Sequence, residues 1–327
     1  MTASRRRAII ISNLVSFAFT FVVASPALAA GQTDTARITS VANVTLRAMP
    51  SPDASAIAQL ALGTEVIDAG PAGLDKTWVR VKLTDGRQGW LQARLTKPLD
   101  PVWRWPVFDE IIASRLGRKG DGFPANTEFV AFIERVAPEY TDTDGRARIE
   151  LARQRALSTT LASIPFKGGR REPYSSWLGT RKHGVVYDEP GGRWMLAPGP
   201  LWDLHARHSA TAAADDLAWL AVTNGLPGEC EGVLPCYLSA RNRSEAEYLR
   251  RHPAGRHAAE AVAIIARTAE TLTAPPLGKA GYEFDRTRDC RDVVATVDAL
   301  TGAVQKTAAA SRDAAVASLA AIRAPCK

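Results

Sequence analysis

The chain has 327 residues, enough for two compact domains, and its 46% hydrophobic and 23% charged content is that of globular protein, not of a disordered tail. The formal net charge of +7 falls to +4 when Arg5, Arg6 and Arg7 leave with a leader that carries no acid. Spread over the remaining chain, that surplus excludes the one-faced Lys/Arg footprint of a nucleic-acid binder.

Residues 1–29 have the pattern of a signal peptide. Ser4-Arg5-Arg6-Arg7 is a basic n-region, Ala8 to Ala24 is apolar and uncharged, and Ser25-Pro26 breaks the helix. Ala27-Leu28-Ala29 supplies the small-x-small pattern of a cleavage site, so the mature chain is expected to start near Ala30. The apolar run sits at the short limit for a spanning helix, and no Cys follows the cleavage site to carry a lipid. No stable membrane span is therefore expected after processing, and the destination is periplasmic or secreted. Ser4-Arg5-Arg6 leaves general secretion and twin-arginine export both open.

From residue 36 to 98, short β-type runs alternate with turns. Arg37 to Val41, Val44 to Arg47, Ile57 to Leu60, Glu65 to Ile67 and Trp78 to Leu83 predict strands; Asp85-Gly86 is a hairpin turn, and Gly89-Trp90-Leu91 opens the last strand. So many short strands in so few residues predict a small barrel, which closes its sheet to remove exposed edges. Val44-Thr45-Leu46-Arg47-Ala48-Met49-Pro50, Leu62-Gly63-Thr64-Glu65-Val66, Trp78-Val79-Arg80-Val81 and Asp85-Gly86-Arg87-Gln88-Gly89-Trp90-Leu91 follow one another in the order and spacing of a known family. Together they resemble the bacterial SH3 (SH3b) domain. Thr45 stands where the family has Asn and Met49 where it has Gly. The resemblance implies an SH3-like barrel in an exported protein that contacts peptidoglycan stem peptides or an envelope protein, or serves as a spacer. On that basis Trp78 and Trp90 form an aromatic platform, with Arg47 and Asp85 as polar contacts to a peptide; both rings also have a packing role available in so small a core.

Residues 99–327 change to helical spacing. Phe108, Ile111, Ile112 and Leu116 share one helix face, and Phe129, Phe132, Ile133 and Val136 share another, with Asn126 as its expected cap. A third helix is expected from Arg146 to Ile164, with Asp144 as its cap. The Gly/Pro-rich stretch Pro165 to Pro200 carries a β-hairpin through Val185-Val186-Tyr187 and Trp194-Met195-Leu196. Helices resume from Leu201: one runs from Asp215 to Asn224, and Ser244-Glu245-Ala246-Glu247 forms a capping box for the next. Tyr248-Leu249, His252-Pro253, Gly255, Ala258 and Ala261 resemble one helix-turn-helix of the tetratricopeptide-type repeats of envelope proteins, without a second copy.

The four cysteines, Cys230, Cys236, Cys290 and Cys326, read as two disulfides in an oxidising compartment, with three pairings open. Cys230 and Cys236 suit a tight loop containing Pro235. Cys290 and Cys326 bracket an Ala-rich stretch that folds into a helical hairpin if it turns at Ala309-Ala310-Ser311, which brings both to the open end. Loop closure then contributes about 2.4 kcal/mol for the short bridge and about 3.8 kcal/mol for the long one.

No cofactor or metal site is expected. Asp142-Thr143-Asp144-Gly145 lacks the first and closing ligands of a calcium loop. His205 and His208, three apart, lack an acid at ligand spacing. A cysteine peptidase needs a lone thiol, whereas Cys230 has Cys236 nearby. Glu229 and Glu231 on the cysteine loop, beside Tyr237, are the remaining candidates for binding a cation or for acid catalysis of glycan cleavage. Three functions follow. The first is a non-enzymatic envelope protein whose SH3b-like module contacts the wall or a protein partner. The second is a wall hydrolase with its site in 165–237, and the third a scaffold in which the barrel is a spacer. Convergence of His205, Tyr187 and Glu229 in one cleft would favour the hydrolase.

Overall fold

The computed structural model describes residues 35–70, 76–118, 120–189, 191–225, 230–274 and 282–326. The expected leader, residues 1–29, lies outside them. The N-terminal part contributes seven strands: β1 Ala36–Thr39, β2 Val44–Arg47, β3 Ala56–Leu60, β4 Glu65–Asp68, β5 Trp78–Lys82, β6 Gln88–Gln92 and β7 Thr96–Leu99. They form one antiparallel sheet in the order β3-β2-β6-β5-β4-β1-β7. The sequence leads one to expect a closed barrel. The ladder instead has β3 and β7 as free edges, and no pairing joins them among the described residues.

Period-two alternation explains the inner face. Val44, Leu46, Leu60, Val66, Val79, Val81 and Leu91 all point into one apolar cluster. Gly86 takes φ +88° in the β5–β6 turn, a conformation open to glycine at no steric cost, and the Leu83 amide donates to the Arg87 carbonyl at 2.8 Å to close the hairpin.

The helices do not stand apart from this sheet. Ile38, Leu62 and Leu99 are buried in the same cluster as Phe108, Ile111, Phe132 and Ile133. The anticipated boundary at residue 98 falls inside β7, and residues from Thr35 onward form one compact unit. The Leu62-Gly63-Thr64 turn is the contact point. The Arg135 guanidinium donates to the carbonyls of Leu62 (2.8 Å) and Gly63 (3.1 Å), and the Phe132 ring occupies the space a side chain on Gly63 would need. Arg104 adds ion pairs to Glu65 and Glu139.

Eleven helices are described: α1 Trp105–Leu116, α2 Phe123–Val136, α3 Thr143–Ala162, α4 Tyr174–Gly179, α5 Pro198–Arg207, α6 Ala214–Thr223, α7 Leu234–Arg243, α8 Glu245–Arg251, α9 Ala258–Thr273, α10 Arg286–Gln305 and α11 Arg312–Arg323. Between α4 and α5, β8 Val185–Asp188 and β9 Arg193–Leu196 pair as the expected hairpin. Several caps differ from expectation. Asp142, not Asp144, caps α3 by accepting from the Gly145 amide at 2.7 Å. Asn126 is buried inside α2 and donates to the Asp121 carbonyl at 3.1 Å, because α2 already starts at Phe123 with Pro124 in its first turn. The Ser244 hydroxyl bonds back to the Ala240 carbonyl instead of capping α8.

Helices α6 to α11 enclose a second apolar core that includes Leu238, Tyr248, Leu249, Val262, Val297 and Leu319. α6 serves both cores, with Ala221 in the first and Ala218 and Val222 in the second. Both expected disulfides form. Cys230–Cys236 closes the loop into α7, and Cys290–Cys326 joins α10 to the end of α11 with Cα atoms 5.3 Å apart. No helix among the described residues is long and apolar enough to cross a membrane.

Candidate functional site

Three places gather the residues singled out by sequence. The first is the outer face of β2, β6 and β5. Arg47 lies opposite Trp90, Arg80 opposite Trp90 from the other side, and Trp78 opposite Gln92. Directly opposed residues share a face, and so do residues two apart. Arg47, Arg80, Trp90 and Trp78 therefore face one way, opposite to Val79, Val81 and Leu91. Trp78 is only 8% exposed, so its ring is largely committed to packing, while Trp90 and Arg47 are half-buried. Arg47 also holds its own turn, donating to the Ala54 carbonyl at 2.7 Å. Asp85 is not on this face. It sits at the β5–β6 tip against Arg87 at 2.6 Å, and hydrogen bonds from Arg87 hold its carboxyl below the usual carboxylate range. Arg80, exposed and hydrogen-bonded to Gln88 at 3.1 Å, is the member of this face that sequence reasoning missed. Its cross-strand register with Trp90 was the available signal.

The second place is the junction of α5, α6, α8 and the loop into α9. His205 Nε2 and His252 Nε2 are 2.8 Å apart, and His205 is buried. His205 Nδ1 is buried without a partner. An orphaned N–H is costlier than an orphaned acceptor, which assigns the proton to His205 Nε2, donating to His252. Burial, then the neighbouring His252 and Arg251, push the His205 pKa down to about 4; burial also lowers His252. The Tyr248 hydroxyl donates to Asp215, whose other oxygen accepts from the Arg256 amide at 2.9 Å, and the His257 amide donates to the Tyr248 oxygen at 3.1 Å. Burial alone would raise the Asp215 pKa, but these hydrogen bonds hold it below the ordinary value. Asp216 receives Arg155 at 2.9 Å and Arg256 at 3.0 Å, and the His257 ring stacks on Trp219 with centroids 4.8 Å apart. Gly255 lies so close to Tyr248 and Asp215 that a Cβ there would come within 2.8 Å of the Asp215 carboxylate. The His-Pro-x-Gly stretch thus acts as a clasp between helices, and His205 meets His252, not His208.

The third place is a cleft of about 1020 Å³ between the Gly168–Arg170 turn, α4 and the β8–β9 hairpin. Tyr187 and Trp194, opposite each other across the hairpin, line it with ring centroids 5.3 Å apart and planes tilted by 52°. Trp194 can lie there because Gly169 has no side chain; a Cβ would meet the indole ring. Lys167, Arg170, Lys182 and Glu189 complete the charged lining, all exposed and none ion-paired among the described residues.

Of His205, Tyr187 and Glu229, the two described residues do not converge. His205 is in the junction, Tyr187 is in the cleft, and Glu229 lies outside the described residues. Glu231 is an exposed turn residue with φ +44°, and Tyr237 packs edge-on against Tyr282. Among the described residues no group of three or more His, Cys, Asp or Glu is placed to hold a metal. Comparison with known proteins finds no family model, no curated protein and no solved structure that matches the chain.

Proposed function

We propose that this protein is an exported, non-enzymatic envelope protein, periplasmic or secreted, whose N-terminal sheet belongs to the SH3b type and contacts a cell-wall peptide or a protein partner. The observation that carries the proposal is the register of β2, β6 and β5, which lines up Arg47, Trp90 and Arg80 across three strands on the face turned away from the core. A rigid ring between two guanidinium groups offers apolar contact area and charge-assisted hydrogen bonds to peptide carboxylates. Two disulfides fit an oxidising compartment. Binding is favoured over cleavage because glycan hydrolysis needs two carboxylates across the substrate. Among the described lining of the 165–237 region's large cleft, Glu189 is the one acid.

The mature protein, tested whole because its sheet shares a core with the helices, should sediment with purified sacculi. Trp90→Ala should weaken that binding by about 2 kcal/mol, the size of an aromatic hot spot. Arg80→Ala, at an exposed position, should weaken it with the circular dichroism spectrum unchanged. Wild-type protein that stays in the supernatant would replace wall recognition by a protein partner or by the spacer role.

A further inference from the structure

We propose that the cleft between the hairpin and α4 binds an anionic saccharide: a sugar ring bearing a carboxylate or a phosphate. Three features of the cleft select this chemistry, and none depends on the sheet face discussed above.

The first is charge without partners. Lys167, Arg170 and Lys182 bring three cations to the cleft against the single carboxylate of Glu189, and no ion pair neutralises any of the four among the described residues. Several other arginines are tied to acids, Arg153 and Arg181 to Glu134 and Arg250 and Arg251 to Glu247. Net positive charge in a concave, partly apolar site concentrates anions.

The second is ring geometry. Two parallel aromatic walls would sandwich a flat ligand, but Tyr187 and Trp194 meet at 52°. An angled pair suits a puckered ring, which lays its C–H face on one aromatic surface and turns its hydroxyls to the other side. The Tyr187 hydroxyl makes no hydrogen bond within the described protein and is free to engage those hydroxyls, while the Trp194 indole nitrogen lies against Gly169.

The third is an exposed apolar group next to the cleft, outside its lining. Phe166 is 70% exposed, packs over Gly192 of the hairpin turn, and carries the Lys167 ammonium 5.3 Å from its ring centroid. It places an apolar surface beside one of the lining cations. At about 1020 Å³ the cleft is at the upper end of the range, roughly 300–1,000 Å³, that holds a compact ligand.

The test is isothermal titration of the mature protein with three probes: a galacturonate trimer carrying carboxylates, glucose 6-phosphate, and neutral chitotriose. Saturable binding of the first or the second, with chitotriose at least about tenfold weaker and with affinity falling as salt rises, is the expected result. Which anion binds distinguishes a carboxylated glycan from a sugar phosphate. Arg170→Ala combined with Lys182→Ala should weaken that binding by about tenfold, the loss of charge-assisted hydrogen bonds. Glu189→Gln should strengthen it by about twofold, since it removes the one repelling charge. All these residues are exposed, and an unchanged melting temperature shows that the fold is intact. Equal binding of chitotriose, a Glu189→Gln variant that binds more weakly, or no binding of either anion would each overturn the proposal.

Discussion

The junction of α5, α6 and α8 and the hairpin cleft contain similar residue types, yet only one is built to meet something outside the protein. At the junction His205, His252, Tyr248, Asp215, Asp216 and Arg256 bond to one another, and all but the exposed Arg256 are buried or half-buried. In the cleft the charges face solvent, and none is paired among the described residues. A cluster of histidines, tyrosine and carboxylates reads as chemistry in a sequence, but bonding within the cluster, complete except at His205 Nδ1, marks it as structure. Residues held in position without partners are the better mark of a ligand site.

The comparison is broken most directly at Tyr248 and Gly255. If the junction is structural, Tyr248→Phe should cost about 1–3 kcal/mol, since it leaves the Asp215 carboxylate and the His257 amide each short of a partner. Gly255→Ala should cost a similar amount, about 1–3 kcal/mol, by forcing a methyl group against Tyr248 and Asp215. Urea denaturation measures both. Losses below about 0.5 kcal/mol, the range of an ordinary surface substitution, would remove the clasp from the account.

A smaller effect, and one that sharpens the contrast, comes from pH. The folded-state pKa of His205 is about 4 against an ordinary 6.5, so between those values the unfolded chain binds the proton that the folded chain refuses. Stability contributed by the neutral pair is therefore present above pH 6.5 and lost as pH falls toward 4. The loss is on the order of 2 kcal/mol. Arg251 lowers the His205 value further while Glu247 acts the other way, and Asp215 partly offsets the shift of His252. Glu245, raised by burial, opposes the histidine trend, so the comparison must be with a His205→Gln variant whose pH profile should be flatter than wild type over this range. Parallel profiles for the two proteins would mean that His205 is already charged in the fold.

What could be read in the sequence follows from how local its causes are. Alternation and the Asp85-Gly86 turn placed β5 and β6, Gly/Pro punctuation placed the β8–β9 hairpin, and cysteine spacing with a central turn gave both disulfides. Closure of the sheet depends on whether two edges meet, and no local pattern encodes that. The cap of α3 lies two residues from the expected Asp144, because Asp142 and Asp144 carry the same side chain and only backbone geometry makes Asp142 the cap and puts Asp144 in the first turn of α3. His252 was missed as the partner of His205 because the contact spans 47 residues. The cleft fell inside the stretch singled out from Pro165 to Pro200, but Lys167, Arg170 and Lys182 look there like any solvated cations. Their significance is that the fold turns them toward Tyr187 and Trp194.

That last point gives the smallest expected effect on stability and the cleanest separation of the two regions. Arg170 and Lys182 are exposed and make no ion pair or hydrogen bond among the described residues, so truncating them removes no contact that holds the fold. Arg170→Ala and Lys182→Ala should each change unfolding free energy by less than about 0.5 kcal/mol, in either direction. Relief of repulsion between neighbouring cations could even stabilise slightly, and that part would shrink as salt screens it. A loss of more than about 1 kcal/mol from either substitution would show that the cation has a structural partner, as the junction residues do. The cleft would then be a second satisfied cluster, and the distinction drawn between the two regions would fail.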